Sequence, residues 1–99
     1  MENGKITISK DVIAIITDLA MSEAVTQEEV YRKVRNKGID IAYEGDELVL
    51  TIDVVVQYGS KIPAVAEKIQ KKVSYSVENM TGQTVKAVNV NISGMHFEK

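Results

Sequence analysis

Leu48, Leu50, Ile52, Val54, Val56 and Tyr58 occupy every second position of one stretch, the longest apolar alternation in the chain. Side chains of a strand point alternately to its two faces, so this row is one face of a long strand. A face that is apolar from end to end has to be covered by a second layer. The opposite positions, Val49, Thr51, Asp53, Val55 and Gln57, are mixed and predict a less buried surface. Just upstream, Ile39, Ile41 and Tyr43 alternate with Asp40, Ala42 and Glu44, and Glu44-Gly45-Asp46-Glu47 is turn chemistry. Residues 39–58 therefore read as an antiparallel hairpin.

The covering layer is legible on either side. Ile62, Val65, Ala66, Ile69, Val73, Val77 and Met80 mark one helical face, while Lys61, Lys68, Lys71, Lys72 and Glu78 fall mostly on the other. Ser60 is suited to cap this helix, Pro63 is tolerated in its first turn and Gly82 is suited to end it. Earlier, Val12, Ile15, Ile16 and Leu19 recur at helical spacing, widened by Ile13 and Ala20, with Ser9 or Asp11 as cap. Thr26-Gln-Glu-Glu29 has capping-box spacing and predicts a second, shorter helix over residues 27–36, stopped at Gly38. Ile6 and Ile8 suggest a short first strand, and Val88, Val90 and Ile92 a last one ending at Gly94. The expected fold is α+β in two layers: one mostly antiparallel four-stranded sheet with helices on one face, in the order β-α-α-β-β-α-β.

A length of 99 residues holds one such domain, expected to span residues 1–99, and the apolar share of 44% suffices for one core. The chain has no cysteine and one histidine, which excludes thiolate chemistry and multi-histidine metal sites. A net charge of −2 gives no overall attraction to nucleic acid or anionic lipid. No apolar run approaches the ~20 residues that cross a bilayer. The polar start resembles no signal peptide, and these features predict a cytoplasmic protein without direct membrane insertion.

The search for reactive chemistry returns ordinary structural readings. His96 lies near the C-terminus and reads as a loosely ordered terminal residue. Asp11 and Asp18 are two helical turns apart, and Asp11 complements the helix dipole. Glu44, Asp46 and Glu47 lack calcium-loop spacing and read as a solvated turn. Tyr58-Gly59-Ser60-Lys61 enters a helix but matches no phosphate-binding fingerprint. No catalytic, metal or cofactor-binding residue is assigned and no cofactor is expected. Asp53 stands mid-strand among Ile52, Val54 and Val55, so its face is open to solvent or it meets a basic residue.

Arg32, Lys33, Arg35 and Lys37 form a candidate basic patch, with Lys68, Lys71 and Lys72 a second cluster. Regulatory RNA binding through residues 32–37 is the alternative function. Against it, the presumed open face carries an acid and no aromatic to stack on bases. Val49, Thr51, Asp53, Val55, Asn89 and Asn91 are the candidate interface, a face of the kind that meets another protein or another copy of itself, with a plain solvent-facing sheet as the alternative.

Several strings together resemble the alkaline-shock, or envelope stress response, protein family of Gram-positive bacteria. They are Gly4-Lys-Ile-Thr-Ile-Ser9 with Asp11-Val-Ile13, Leu50-Thr-Ile-Asp-Val-Val-Val-Gln-Tyr-Gly59 and Ile62-Pro-Ala-Val-Ala-Glu-Lys-Ile-Gln70. Val73, Met80-Thr-Gly82 and Val88-Asn-Val-Asn-Ile-Ser-Gly94 complete the set. The segment over residues 22–37 departs from the family pattern. The resemblance implies a non-enzymatic protein of cell-envelope homeostasis; some members are held near the membrane by a protein partner, and other relatives are associated with lipid metabolism. The expected function is a scaffold or adaptor that forms homo-oligomers and binds a membrane-associated partner, with nucleic acid disfavoured.

Overall fold

The computed structural model describes Gly4, residues 6–33 and residues 38–97, without the side chains of Arg32 and Lys33. Its elements are α1 (Lys10–Ala24), β1 (Val30–Lys33), β2 (Ile39–Glu44), β3 (Glu47–Gln57), α2 (Ile62–Thr81) and β4 (Val85–His96). The α+β class, the two layers and the four strands match the expectation. Two of the three strand pairings are antiparallel, so the sheet is mostly antiparallel as expected.

β3 is the axis of the sheet. β2 pairs with its first half, from Glu44↔Glu47 to Ile39↔Ile52. β1 pairs with its second half, from Lys33↔Val54 to Val30↔Val56, with an irregularity between Val30 and Arg32. β1 and β2 thus lie end to end along one edge of β3. β4 runs parallel along the other edge, from Leu48↔Val85 to Gln57↔His96. A parallel neighbour needs a crossover, and α2 supplies it.

Leu48, Leu50, Ile52, Val54 and Val56 are fully buried. They pack with Ile13, Ile16, Ala20 and Met21 of α1 and with Val65, Ile69, Val73 and Val77 of α2 in one core. At ~25 cal/mol per Å2 of apolar area removed from water, this row is the largest contribution of any single strand. α1 starts where Ser9 Oγ accepts from Val12 N–H at 3.3 Å. α2 carries Pro63 in its first turn and ends at Gly82, whose φ of 72° is the left-handed conformation glycine tolerates best.

Four local expectations are corrected. Ile6 and Ile8 do not form a strand, because among the described residues none lies alongside to complete a ladder; Ile6 is 87% exposed. The expected helix over 27–36 is replaced by a turn and β1, which makes the order α-β-β-β-α-β. The capping box itself forms, with Thr26 N–H donating to Glu29 Oε1 at 3.1 Å, and Glu29 and Val30 N–H both reach Thr26 O at 3.0 Å. One turn is all it starts. The far half of β3 needs a partner, and burying Val30 against Val56 supplies one. Residues 34–37 lie outside the described residues. On α1, Val12, Ile15 and Leu19 face solvent, the last two at 59% and 61% exposure, because the buried stripe runs through Ile13, Ile16, Thr17 and Ala20. Ser60 does not cap α2: Lys61 holds that position, and Ser60 Oγ donates instead to the carbonyls of Glu28 and Glu29.

Candidate functional site

The alternation that sends Leu48 to Val56 into the core sends Val49, Thr51, Asp53, Val55 and Gln57 to the opposite, helix-free face, where each is half-buried. β4 adds Ala87, Asn89 and Asn91 in register, with Thr51 opposite Asn89 and Asp53 opposite Asn91. β2 adds Asp40 opposite Thr51 and Ala42 opposite Val49. The six residues singled out from the sequence, Val49, Thr51, Asp53, Val55, Asn89 and Asn91, therefore occupy adjoining positions of one surface.

The polar groups of this face satisfy one another across strands. Asn91 Nδ2 donates to Asp53 Oδ1 at 2.9 Å, and Asn89 Nδ2 reaches Thr51 Oγ1 at 3.5 Å. Among the described residues no cation pairs with Asp53; it stands on the open face, the first of its two expected settings, half-buried and bonded to a neutral amide. Val55 lies under Gly94, where a Cβ would stand 3.6 Å from Val55 Cγ2. The centre of the face is thus small, apolar or already hydrogen-bonded. Covering it would bury Val49 and Val55 but also the Asp53 carboxylate, so a partner has to bring a donor to Asp53.

One end of the face is aromatic. The His96 ring stacks on Tyr31 at 3.7 Å between centroids and 3° between planes, and its Nδ1 lies 3.1 Å from Gln57 Oε1. His96 is therefore the last residue of β4 and half-buried, not a loose terminus. Just beyond, Tyr58 stacks on Phe97 at 4.6 Å. The expectation of a face without aromatics is corrected at this end. Tyr31 was invisible there because its segment read as a helix, and only its strand position brings it onto the sheet.

The four candidate basic residues divide. Arg32 and Lys33 belong to β1, opposite Val55 and Val54. Arg35 and Lys37 lie outside the described residues. Of the second cluster, Lys68 meets Glu29 at 2.5 Å, Lys71 meets Glu67 at 3.1 Å and Lys72 meets Glu23 at 3.3 Å. The Lys68 ammonium, donating to the Glu29 carboxylate, holds that carboxyl below its ordinary range. On the sheet's other edge Lys86 pairs with Glu44, which raises the lysine.

Shallow grooves among the described residues include two that reach Tyr31 and Asn89. One of about 320 Å3 runs between the end of α1 and β1, lined by Met21, Val25, Gln27, Val30 and Tyr31. The other, about 430 Å3, runs between α2 and β4, lined by Gln70, Lys71, Ser74 and residues 85–89. Neither lining combines a carboxylate with a base, the pairing that general acid–base chemistry uses. Among the described residues no group of three or more histidine or acidic side chains is placed to hold a metal ion. None of the described helices is long and apolar enough to cross a membrane.

A family model matches residues 1–97: the alkaline shock protein 23 family, described by a cell envelope-related function. Among similar proteins, the uncharacterized protein YloU of Bacillus subtilis is 30% identical, the match covering 93% of this chain and 88% of that one. The uncharacterized protein Spy1535 of Streptococcus pyogenes is 32% identical over 97% of this chain and 82% of its own. The uncharacterized protein YqhY of Bacillus subtilis is 29% identical over 96% and 79%. No solved structure matches.

Proposed function

This chain belongs to the alkaline shock protein 23 family, whose function is cell envelope-related, and from that premise we propose that it is a non-enzymatic scaffold or adaptor of envelope homeostasis. It acts through self-association and through a protein partner, at the cytoplasmic side and near the membrane by way of that partner. The observation that carries the reading is the helix-free sheet face. Val49, Thr51, Asp53 and Val55 are half-buried there, Asn89 and Asn91 are exposed, and the two asparagines bond across to Thr51 and Asp53. A second protein that covers it gains apolar burial over Val49 and Val55 and has to match the Asp53 carboxylate with a donor of its own.

The test is capture of partners from the native host on tagged chain, with membrane and soluble fractions kept apart and each treated with or without nuclease. The expected result is a nuclease-resistant, stoichiometric protein in the membrane fraction that Val55→Asp no longer captures, because an aspartate placed mid-face would be buried unpaired. Recovery of RNA and ribosomal material alone, lost on nuclease treatment, would replace this reading with RNA binding through Arg32, Lys33, Arg35 and Lys37.

A further inference from the structure

The two edges of the sheet are defended very differently. The edge made by β1 and β2 is split into two short strands and carries Arg32, Lys33, Asp40 and Glu44. Breaks and charges of this kind keep an edge from pairing with another chain. β4 is the longest strand of the sheet, and between its irregularities near Lys86 and Ser93 it runs Ala87-Val-Asn-Val-Asn-Ile92 without a charge or a proline. Among the described residues no strand pairs with its outer side.

The direction of its backbone groups follows from the register. Leu48 N–H donates to Thr84 O at 2.9 Å, and Asp53 N–H to Gly38 O at 2.7 Å. Backbone groups alternate between the two edges of a strand, so the even-numbered residues of β3 face β4. In a parallel ladder each such residue sits opposite one whose own groups point away. Leu50↔Val88, Ile52↔Val90 and Val54↔Ile92 therefore turn the N–H and C=O groups of Val88, Val90 and Ile92 to the outer edge. Gln70 Nε2, reaching down from α2, meets Val88 O there at 3.1 Å.

The segment Val88-Asn89-Val90-Asn91-Ile92 reads alike in both directions: β-branched, amide, β-branched, amide, β-branched. We propose that β4 is a homodimerisation edge, pairing antiparallel with β4 of a second copy about a twofold axis through Val90. This deepens the self-association part of the proposed function and rests on it. Val90 meets Val90, and Val88 meets Ile92 of the second copy, so every outward N–H and C=O of the three residues finds a partner. Val88 O keeps a second lone pair for Gln70. On the helix side, half-buried Val90 and Ile92 are covered by the same residues of the other copy. On the open face Asn89 comes opposite Asn91, joining the polar rows of both copies into one surface. A slip of the axis to Asn89 sets Ile92 against Lys86, and a slip to Asn91 sets Val88 against Gly94. Only the axis through Val90 pairs the three outward residues wholly among themselves.

The chain has no cysteine, which makes cross-linking clean. Asn89→Cys and Asn91→Cys are made separately. In the proposed pairing these positions oppose each other at a site without direct hydrogen bonds, Cα atoms ~4.5 Å apart, within disulfide reach. Mixed and oxidised, the two variants should give a disulfide-linked heterodimer, while each alone gives little. In parallel, sedimentation equilibrium should show the wild type at twice its 10.9 kDa chain mass or a multiple of that. Val90→Pro, which removes no hydrogen bond within the chain because that N–H points outward, should lose the association and keep its circular dichroism. A wild type that self-associates, with no excess cross-linking in the mixture and an unaltered mass for Val90→Pro, overturns the β4 edge and leaves the scaffold reading standing. A wild type monomeric at millimolar concentration overturns both. Should Val90→Pro unfold, the cysteine mixture decides alone.

Discussion

At the scale of single residues, polar side chains are settled by partners that sequence distance hides. Asp53 is conspicuous as an acid among β-branched residues, but Asn91, which donates to it, follows 38 residues later in the chain. Glu29 is similar. Its capping-box role toward Thr26 is readable from spacing, while its pairing with Lys68 depends on how α2 returns over the sheet. That pairing has a pH signature. The folded carboxyl titrates below its ordinary value of 4.5 because Lys68 and the Thr26 amide favour the charged form. A lowered folded pKa contributes stability that is fully present above the unfolded value and lost as pH falls through the folded one. Glu29→Gln should therefore lower stability at pH 7 by about 0.5–1 kcal/mol, the range of a partly exposed pair. In urea titrations the gap to wild type should close as the pH drops below about 4. A gap independent of pH would assign the effect to packing.

Elements were legible in proportion to how uniform their faces are. β3 and α2 each show one apolar row, and both stand almost where periodicity puts them. α1 is apolar on more than one side, so spacing alone did not distinguish Ile15 from Ile16, and only packing against α2 and the sheet selects the latter. Ile16→Ala should therefore cost about 2–4 kcal/mol by leaving a core cavity. Ile15→Ala should lie within about 0.5 kcal/mol of wild type, as surface changes do. Thermal or urea melts of the two variants check this directly, and similar costs would refute the assigned rotation of α1. Residues 27–33 show the opposite case. A genuine helix-start signal forms its hydrogen bonds and is then overridden, because the ladder and burial that β3 offers Val30 outweigh local preference.

For the whole molecule, a sheet with helices on one side leaves its other side to be used or wasted. The candidate face was readable from the sequence as the minority side of two strands, and the structure brings its six residues together. Its aromatic end was not readable, since Tyr31 reaches the sheet only through a strand that local signals concealed. The structure also explains how one substitution can separate fold from function here. Val55 contributes to the face and not to the core row, so an aspartate there should spare the helices and the buried row while spoiling docking. In a host deleted for this chain, survival under a cell-wall inhibitor after complementation with wild type or Val55→Asp is the most direct measurement. The deletion should sensitise the cells, wild type should restore them, and Val55→Asp, present at equal level and folded, should not. A deletion strain as resistant as its parent, or full rescue by Val55→Asp, would contradict the assignment of an envelope function to this face.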